Sequence, residues 1–390
     1  MNVLFFMKIG IINFLRIVLR IFYIFPIKDN YFFFESFNGK GYNDNPQYIS
    51  EYLSNRHKQY RQIWSFRNNI FKTVVTPTNI KKVKTGSLLY MYHIMTSRVI
   101  VTNDFFSPII PIRKSQILVN TWHGGGFFKK VAMTSKLPSR YMEWYYHKQN
   151  QMISAFVASS QYFIKTVVRD SFLFTGDTIH CGMPRNSVFF KELPNVKERL
   201  RNYFGVPFED NSLLVLFAPT FRGCSEQGVL NMSDENLDVK KVHEAFEVKY
   251  RTKVYFLYRA HHAIVNDKLS GNYLDATAYP DMQDLLYCSD ILISDYSSCM
   301  WDFGLMNKPI FVYAPDLQYY ENSTGFFKDV NEWPYPIGIN NKELLDSILS
   351  FDYGDFINRN TKCMAELVSY ENANATDLCV EWIFNRKQTV

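Results

Sequence analysis

Four apolar segments of the sequence are each followed closely by polar residues of the kinds that bind phosphate. The segments and the residues after them are ILVNT (117–121) with His123 and Gly124, SLLVLFAP (212–219) with Arg222, KVYFLY (253–258) with Arg259 and His261, and DILIS (290–294) with Asp295, Ser297 and Ser298. In open α/β sheets, ligands bind just beyond the carboxyl ends of the strands. The sequence therefore predicts a site for an anionic, phosphorylated ligand at these strand ends.

His123 precedes three glycines, Gly124–Gly126, directly after a predicted strand. Glycine allows a sharp turn and a close approach of the backbone to a ligand. A histidine there can act as a general base near neutral pH and take the proton from an attacking hydroxyl. The alternative is a turn histidine that is hydrogen-bonded to the backbone and has no role in chemistry.

Arg222 and Arg259 stand at equivalent strand ends of the second half of the chain. The planar guanidinium group matches the oxygens of a phosphate, so the two arginines together predict a pyrophosphate clamp. His261, two residues beyond Arg259, would donate to the same phosphates or assist the leaving group. For each arginine alone, a structural salt bridge is the alternative.

Asp295-Tyr-Ser297-Ser298 precedes an apolar, helix-like run from Met300 to Met306. Ser297 and Ser298 are therefore expected at a helix N-terminus, where free N–H groups and the helix dipole bind phosphate. The alternative is plain N-capping, which shares this geometry. Asp316 follows the predicted strand PIFVYA (309–314), a position from which it could reach the sugar of a nucleotide.

These residues need a scaffold of parallel strands to bring them together. Short β-branched or aromatic runs, most of them apolar on both faces, alternate with longer helical or loop stretches. This pattern predicts doubly wound sheets that are covered by helices on both sides. Beyond the runs named above, the predicted strands are YFFFES (31–36), RQIWSF (61–66), RVIVT (98–102) and SAFVAS (154–159).

The strands fall into two groups, divided by a proline-containing loop and helix around 182–211. A chain of 390 residues is also too long for one ordinary core. We predict an α/β protein of the GT-B type, with two Rossmann-like, doubly wound domains that face each other across a substrate cleft. The predicted parts are an N-terminal helix over 1–28, a first domain over 29–190, a second domain over 191–372, and a C-terminal helix over 373–390 that packs back on the first domain.

Residues 1–26 are nearly all apolar but carry Lys8, Arg16 and Arg20. On a helical projection the two arginines fall within a narrow arc and leave a broad apolar face, the pattern of a helix that lies in a membrane interface. A helix packed on the protein's own body is the alternative. A membrane-spanning helix is disfavoured because the arginines stand near its middle, and a secretory signal would need a clearer cleavage site.

The composition argues against several classes of protein. The net charge of +6 is spread through the chain and suits binding to anionic lipid and to phosphorylated substrates. The sequence has no dense Lys/Arg block and no nucleic-acid module, which argues against binding to nucleic acid. The 6 cysteines are scattered, which argues against zinc and disulfides and for a reducing cytoplasm. The motifs of P-loop, dinucleotide, serine-hydrolase and zinc-protease sites do not occur in the sequence, nor does a DxD-type metal motif, so we expect no cofactor and no obligatory metal.

Taken in order, several segments resemble the CDP-glycerol glycerophosphotransferases of teichoic acid, capsule and related cell-wall polymer synthesis. They are SFNGKGYNDNPQYISEYL, NTWHGGGFFKK, GMPRN, FAPTFR, YRAHH and DLLYCSDILISDYSSCMWDFGLMNKPIFVYAPDLQYYENSTGFF, and they run from about residue 31 to 327. Their order and spacing carry the resemblance more than any single motif does.

The resemblance implies a transferase that moves glycerol phosphate from CDP-glycerol to a hydroxyl of a polyprenyl-linked acceptor and releases CMP. It implies a peripheral protein on the cytoplasmic face of the cell membrane, with an acceptor domain over 29–190 and a CDP-donor domain over 191–372. His123 matches the family's catalytic histidine, and His261 matches its second functional histidine. The positions that match the CDP and pyrophosphate site are Arg222, Asp295, Ser297 and Ser298.

The sequence departs from the family pattern at His262, where proline is usual, and at Gly125-Gly126, which replace Thr-Pro. A CDP-ribitol user or a nucleotide-sugar glycosyltransferase of the same fold is an alternative, because function resides in the site and not in the fold. A scaffold that only binds lipid surfaces is the alternative of another class. Such a scaffold would not need histidines and arginines at matched strand ends.

Overall fold

In the computed structural model, the described residues are 2–126, 128–220, 237–260 and 271–389. The chain forms two compact units. The first unit consists of Met1–Gly125, Val131–Ser187 and Ser369–Val390, and the second consists of Gly126–Lys130 and Val188–Val368. Each unit is built around one parallel sheet.

The described residues contain thirteen strands. They are β1 (Lys28–Glu35), β2 (Arg61–Phe66), β3 (Ile80–Lys84), β4 (Ser97–Thr102), β5 (Ile117–Asn120), β6 (Ala155–Val157), β7 (Asp177–Ile179), β8 (Leu213–Phe217), β9 (Val254–Tyr258), β10 (Leu274–Asp275), β11 (Ile291–Ser294), β12 (Ile310–Tyr313) and β13 (Ile337–Gly338).

The described residues also contain thirteen α-helices. They are α1 (Asn2–Leu19), α2 (Asp44–Arg56), α3 (Leu88–Thr96), α4 (Arg140–Asn150), α5 (Gln161–Phe163), α6 (Val196–Phe204), α7 (Val239–Tyr250), α8 (Met282–Cys288), α9 (Cys299–Gly304), α10 (Leu317–Ser323), α11 (Asn341–Ser350), α12 (Tyr353–Glu366) and α13 (Ala375–Thr389). A 3-10 turn, Arg20–Ile24, extends α1, and a π-helix, Ile164–Ser171, extends α5.

Several helices begin where the sequence supplies a capping side chain that accepts a hydrogen bond from the first turn. Ser87 accepts from the amide of Tyr90 at the start of α3. Ser139 does the same at the start of α4, and Ser160 at the start of α5. These capping hydrogen bonds therefore determine the residues at which the three helices begin.

The first sheet has seven strands in the order β3-β2-β1-β4-β5-β6-β7. Phe33 of β1 lies opposite Ile100 of β4 at the centre of the sheet, and both side chains are fully buried. The chain proceeds from β1 to one edge through β2 and β3, then from β4 to the other edge. The order thus reverses between β1 and β4, and such a switch point leaves a crevice at the carboxyl ends of the two strands.

The second sheet has six strands in the order β10-β9-β8-β11-β12-β13. Its order reverses between β8 and β11, where Val215 lies opposite Ile291 and Phe217 lies opposite Ile293. These four residues belong to one buried apolar cluster with side chains of α7 and α11. The second unit therefore also has a switch point at the carboxyl ends of its two central strands.

All of the strands predicted from the sequence are present, and their two-sided burial is confirmed, for example in β4, β5 and β11. Four further strands, β3, β7, β10 and β13, were not predicted. β3 has the sequence IKKVK, in which the exposed lysines mask the buried Ile80 and Val83. The other three have only two or three residues each, so hydrogen bonding to a neighbouring strand defines them and not their own sequence.

The C-terminal helix α13 packs against α2 and β5 within the first unit. The ring of Phe384 lies 5.2 Å from that of Tyr60 and 4.9 Å from that of His57. The ammonium group of Lys387 lies 4.4 Å above the Tyr60 ring. Aromatic and cation–π contacts thus attach the end of the chain to the first unit.

The N-terminal helix α1 has one face that contacts the first unit and another that is exposed and apolar. Arg16 donates to the carbonyls of Pro108 and Ile110, both at 2.9 Å. Ile17, and Ile21 in the 3-10 turn that follows the helix, are by contrast 63% and 65% exposed. The helix therefore combines the features expected of a packed helix and of an interfacial helix. None of the helices in the described part of the chain is long and apolar enough to span a membrane.

His93 in α3 is a buried histidine in the first unit, only 3% exposed. Its ring stacks on Tyr31 with 6.2 Å between the centroids. Neither ring nitrogen has a hydrogen-bond partner among the described residues. A charged imidazole in this position would lack both water and a partner, so the folded protein favours the neutral form.

We expect the protein to lose stability in mild acid because of His93. Burial, together with the charges of Lys81 and Lys28, lowers the pKa of this imidazole to about 4, whereas an unfolded histidine titrates near 6.5. Between these values only the unfolded chain takes the proton. The free energy of unfolding should therefore fall by about 2–3 kcal/mol as the pH drops from 6.5 to 4. Urea melts of His93→Phe at several pH values should show a smaller fall.

His147→Phe is the matched control, because the His147 side chain is 61% exposed. It should keep the acid-dependent loss of the wild type. Parallel pH profiles for wild type and His93→Phe would contradict the assignment to His93.

Candidate active site

Those polar residues singled out in the sequence that the structure describes lie at the carboxyl ends of strands in both sheets. In the first unit, His123 comes after β5, next to the switch point between β1 and β4. In the second unit, Arg259 comes after β9, Asp295 after β11 and Asp316 after β12. Each unit thus brings its own group of functional candidates to one edge of its sheet.

A hydrogen bond to the main chain fixes the His123 imidazole. Its Nδ1 lies 2.8 Å from the carbonyl oxygen of Asn103, which follows β4. A carbonyl can only accept, so Nδ1 carries the hydrogen and donates it. The lone pair is therefore on Nε2, the nitrogen that a general base would use.

Two aromatic rings flank His123. The Trp122 ring lies 4.0 Å from the imidazole and the Phe37 ring lies 5.2 Å from it. Both aromatic residues have positive φ angles, 50° for Trp122 and 45° for Phe37. Bulky residues rarely adopt this conformation, and such strained residues cluster at functional sites.

The surroundings keep His123 neutral. Burial lowers its pKa below the ordinary value, and the positive charge of Arg185 acts in the same direction. The hydrogen bond to Asn103 and the carboxylates of Asp104 and Asp44 oppose this effect. The neutral form, which can accept a proton, is thus favoured at neutral pH.

Asn103 and Asp104, which sequence reasoning missed, hold the loop after β1 against the site. The side-chain oxygen of Asn103 accepts from the amide of Phe37 at 2.8 Å. Asp104 accepts from the side chain of Asn38 at 2.6 Å. The signal that could have found them is the one used elsewhere, since both are polar residues directly after a buried strand.

The glycines after His123 serve close packing more than the turn itself. The left-handed residue of this loop is Trp122 (φ 50°), whereas Gly124 is a half-buried residue after the turn. A Cβ on Gly126 would lie 2.6 Å from the Phe128 ring and 3.0 Å from the Cβ of Trp301. The sharp turn expected from the glycines is thus made by Trp122, and the close approach expected from them occurs at Gly126.

Asp295 connects the two central strands of the second sheet at their switch point. Its carboxylate oxygens accept from the amide of Thr220, after β8, at 2.9 and 3.0 Å. The hydroxyl of Ser294 donates to the carbonyl of Ala218 at 2.6 Å. The buried Asp295 side chain therefore holds Thr220, the last described residue after β8, beside β11.

Ser297 and Ser298 immediately precede α9, as the sequence predicted. Ser298 makes no side-chain capping hydrogen bond, and the hydroxyl of Ser297 lies 3.5 Å from the amide of Cys299. Both residues are half-buried. The capping alternative thus applies to Ser297, whose hydroxyl accepts from the amide of Cys299, and not to the side chain of Ser298.

Arg259 and Asp316 make contacts within the second unit. Nη1 of Arg259 donates to the carbonyls of Tyr279 at 2.8 Å and Ala276 at 3.4 Å, and burial lowers the pKa of its guanidinium group. Asp316 accepts from the hydroxyl of Tyr296 at 2.9 Å. Carbonyl oxygens thus hold Nη1 of Arg259.

Arg222 and His261, and with them His262, lie outside the described residues. Within the described ranges, no group of three or more His, Cys, Asp or Glu side chains is arranged to hold a metal ion.

Two doubly wound parallel sheets with polar residues at both switch points define an α/β protein that binds ligands at the carboxyl ends of its strands. The model of the family CDP-glycerol:poly(glycerophosphate) glycerophosphotransferase matches residues 17–385. The chain belongs to this family, and the resemblance seen in the sequence is confirmed.

Two relatives illustrate the range of the similarity. A teichoic acid glycerol-phosphate transferase of Staphylococcus aureus (strain NCTC 8325 / PS 47) is 26% identical over 373 residues, which cover 91% of this chain and 93% of the relative. A teichoic acid poly(ribitol-phosphate) polymerase of Bacillus spizizenii is 28% identical over 345 residues, which cover 85% of this chain. The matched region spans only 53% of the length of that polymerase.

Among solved structures, the wall teichoic acid polymerase TagF superposes with a TM-score of 0.80 at 23% identity. The superposition covers 93% of this chain and 90% of that chain. At this level of identity the similarity establishes the fold.

The geometry at His123 predicts a defined tautomer. In ¹⁵N spectra of the histidine side chains at neutral pH, Nδ1 of His123 should be protonated and Nε2 should be unprotonated, because the Asn103 carbonyl can only accept. The signal is assigned by its loss in His123→Ala. A protonated Nε2 would contradict the hydrogen bond to Asn103.

Proposed function

We propose that this protein transfers glycerol phosphate from CDP-glycerol to a hydroxyl of a polyprenyl-linked acceptor and releases CMP. The transfer would serve the synthesis of teichoic acid or a related cell-surface polymer. The observation that carries the proposal is His123, whose Nδ1 is anchored 2.8 Å from the Asn103 carbonyl beside a sheet switch point, so that Nε2 holds the lone pair. Family membership and the names of the relatives supply the substrate class.

In the proposed reaction, Nε2 of His123 takes the proton of the acceptor hydroxyl. The acceptor oxygen attacks the phosphorus that bears glycerol, in line with the bond to CMP. A new P–O bond to the acceptor forms, the P–O bond of the pyrophosphate breaks, and the electron pair leaves with CMP. The developing charge needs fixed positive groups and N–H donors and no obligatory metal ion.

We assign these donor-binding groups to the second unit. Ser297 and Ser298 at the start of α9 and the nitrogens of Arg259 other than Nη1 are the described candidates. The family resemblance adds Arg222 and His261, and Asp316 is proposed to reach the nucleotide sugar. In this scheme the first unit binds the acceptor and the second unit binds the CDP-linked donor.

CDP-ribitol is the second candidate donor, because a poly(ribitol-phosphate) polymerase is as similar to this chain, at 28% identity, as the glycerol-phosphate transferase is. A nucleotide sugar is the third. Competition binding distinguishes them: CMP and the true CDP-polyol should compete with each other, whereas UDP-sugars should not.

We also propose that the protein lies on the cytoplasmic face of the cell membrane through α1. The exposed apolar side chains of this helix and of the turn after it, including Ile21 and Ile24, would enter the lipid interface. Lys148, near Arg16 and Arg20, places positive charge next to this surface, which suits anionic lipid.

The first activity test is CMP release from CDP-glycerol, with and without a lipid-linked disaccharide acceptor. We expect release that depends on the acceptor and falls by about 10²–10⁴-fold in His123→Ala, the usual contribution of a general base. His147→Ala, at an exposed histidine, should keep the wild-type rate. Turnover of CDP-ribitol or a nucleotide sugar instead of CDP-glycerol would overturn the donor, and full activity of His123→Ala would overturn the base.

Membrane binding is tested with substitutions that spare the Arg16 contacts. The double variant Ile21→Glu/Ile24→Glu should no longer sediment with anionic vesicles, because these side chains are 65% and 74% exposed and would enter the lipid. Val248→Glu, at a 69% exposed position of the second unit, is the matched control and should still bind. Equal vesicle binding by all three proteins would place the membrane contact elsewhere.

A further inference from the structure

A buried ion pair lies directly behind the His123 loop. Nη1 of Arg185 lies 2.8 Å from Oδ2 of Asp44, and the two side chains are only 6% and 8% exposed. Asp44 is the first residue of α2, and Arg185 lies in the turn that follows β7. The pair therefore joins two segments that are 141 residues apart in the sequence.

Both segments bind the main chain of the His123 loop. Nη1 of Arg185 also donates to the carbonyl of His123 at 3.0 Å. The side-chain amide of Asn45 donates to the carbonyl of Trp122 at 3.0 Å. The amide of Arg185 in turn donates to the side-chain oxygen of Asn45 at 3.1 Å, so that the three residues form one connected set.

A buried ion pair is weak evidence of a stabilising role. Burying two charges is expensive, and apolar residues of similar volume are often as stable or more so. Asp44 and Trp122 also have positive φ angles of 61° and 50°. Strained backbone persists only where the surroundings determine it from several sides, and it is typical of functional sites.

We propose that the buried Asp44–Arg185 ion pair, together with Asn45, is a positioning device that holds the Trp122–His123 main chain and so fixes the direction of the His123 imidazole. The hydrogen bond to Asn103 holds the ring from one side, and the ion pair holds its backbone from the other. The buried pair acts on the reaction through His123. The inference rests on the proposed function, in which His123 is the general base.

The two charges of the ion pair also act on the pKa of His123, in opposite directions. Among the described residues, Asp104 after β4, Asp44 on α2 and Arg185 in the turn after β7 influence its titration by their charge. The two carboxylates raise the pKa of His123 against the effect of burial, and Arg185 lowers it. Removing the Asp44 charge should therefore lower the pKa of His123, and removing the Arg185 charge should raise it.

The test measures the titration of His123 by side-chain NMR in Asp44→Asn and in Arg185→Gln. Asp44→Asn should move the midpoint down and Arg185→Gln should move it up. Acceptor-dependent kcat should fall by about 10²-fold in each, the scale of a displaced catalytic group, with little change in KM for CDP-glycerol. A purely structural role would lower the stability of the fold and leave the kcat of the folded enzyme unchanged.

Two further variants keep the test decisive if a single substitution prevents folding. Asp44→Asn/Arg185→Gln removes both charges at once and should bring the midpoint back towards that of the wild type, while kcat stays low. Asp284→Asn breaks the Arg199–Asp284 ion pair, which has the same 2.8 Å separation, in the second unit. In this control the His123 midpoint should equal that of the wild type.

Failure of the inference is distinct from failure of the proposed function. An inactive wild type, or an active His123→Ala, would refute the proposed function. The NMR titration, by contrast, measures the effect of the ion pair on the His123 midpoint and needs no turnover. Unchanged His123 midpoints in both single variants, or full kcat in the double variant, would overturn the positioning role.

Discussion

The parallel pairing of β1 with β4 and of β8 with β11 is the constraint on which the candidate site depends. Each pair lies where the strand order reverses, so the chain leaves the two strands in opposite directions and a crevice opens at their carboxyl ends. Polar residues follow these strands directly, among them Asn103 after β4 and Asp295 after β11. The buried aromatic and β-branched side chains of the sheets thus determine where the polar groups of the site are found.

His123 shows how much of the fold is used to hold one imidazole. Its ring is fixed by the Asn103 carbonyl and flanked by Trp122 and Phe37, and its backbone is held by Arg185. Burial favours the neutral ring, and the surrounding charges act in both directions. A general base needs a fixed direction, and the contact with Asn103 gives the imidazole one.

An element of the fold could be predicted from the sequence where the pattern that indicates it lies within one segment. ILVNT and DILIS have no polar face to expose, so β5 and β11 were predictable, and His123 and Asp295 followed from their positions after these strands. The edge strand β3 was missed because its lysines hide its two buried residues.

Contacts between residues that are distant in the sequence were missed for a different reason. The contact between Asp44 and Arg185 spans 141 residues, and the carbonyls that bind Arg259 come from a neighbouring loop, so no local pattern encodes either contact.

The central claim is that His123 acts on the acceptor, whereas groups of the second unit bind the donor. Equilibrium binding of CDP-glycerol to wild type and His123→Ala, measured by calorimetry without acceptor, tests this division most directly. We predict equal Kd values for the two proteins, because the imidazole would contact only the acceptor hydroxyl. A Kd raised by tenfold or more in His123→Ala, a loss of about 1.4 kcal/mol, would place His123 at the pyrophosphate and contradict its role as the base.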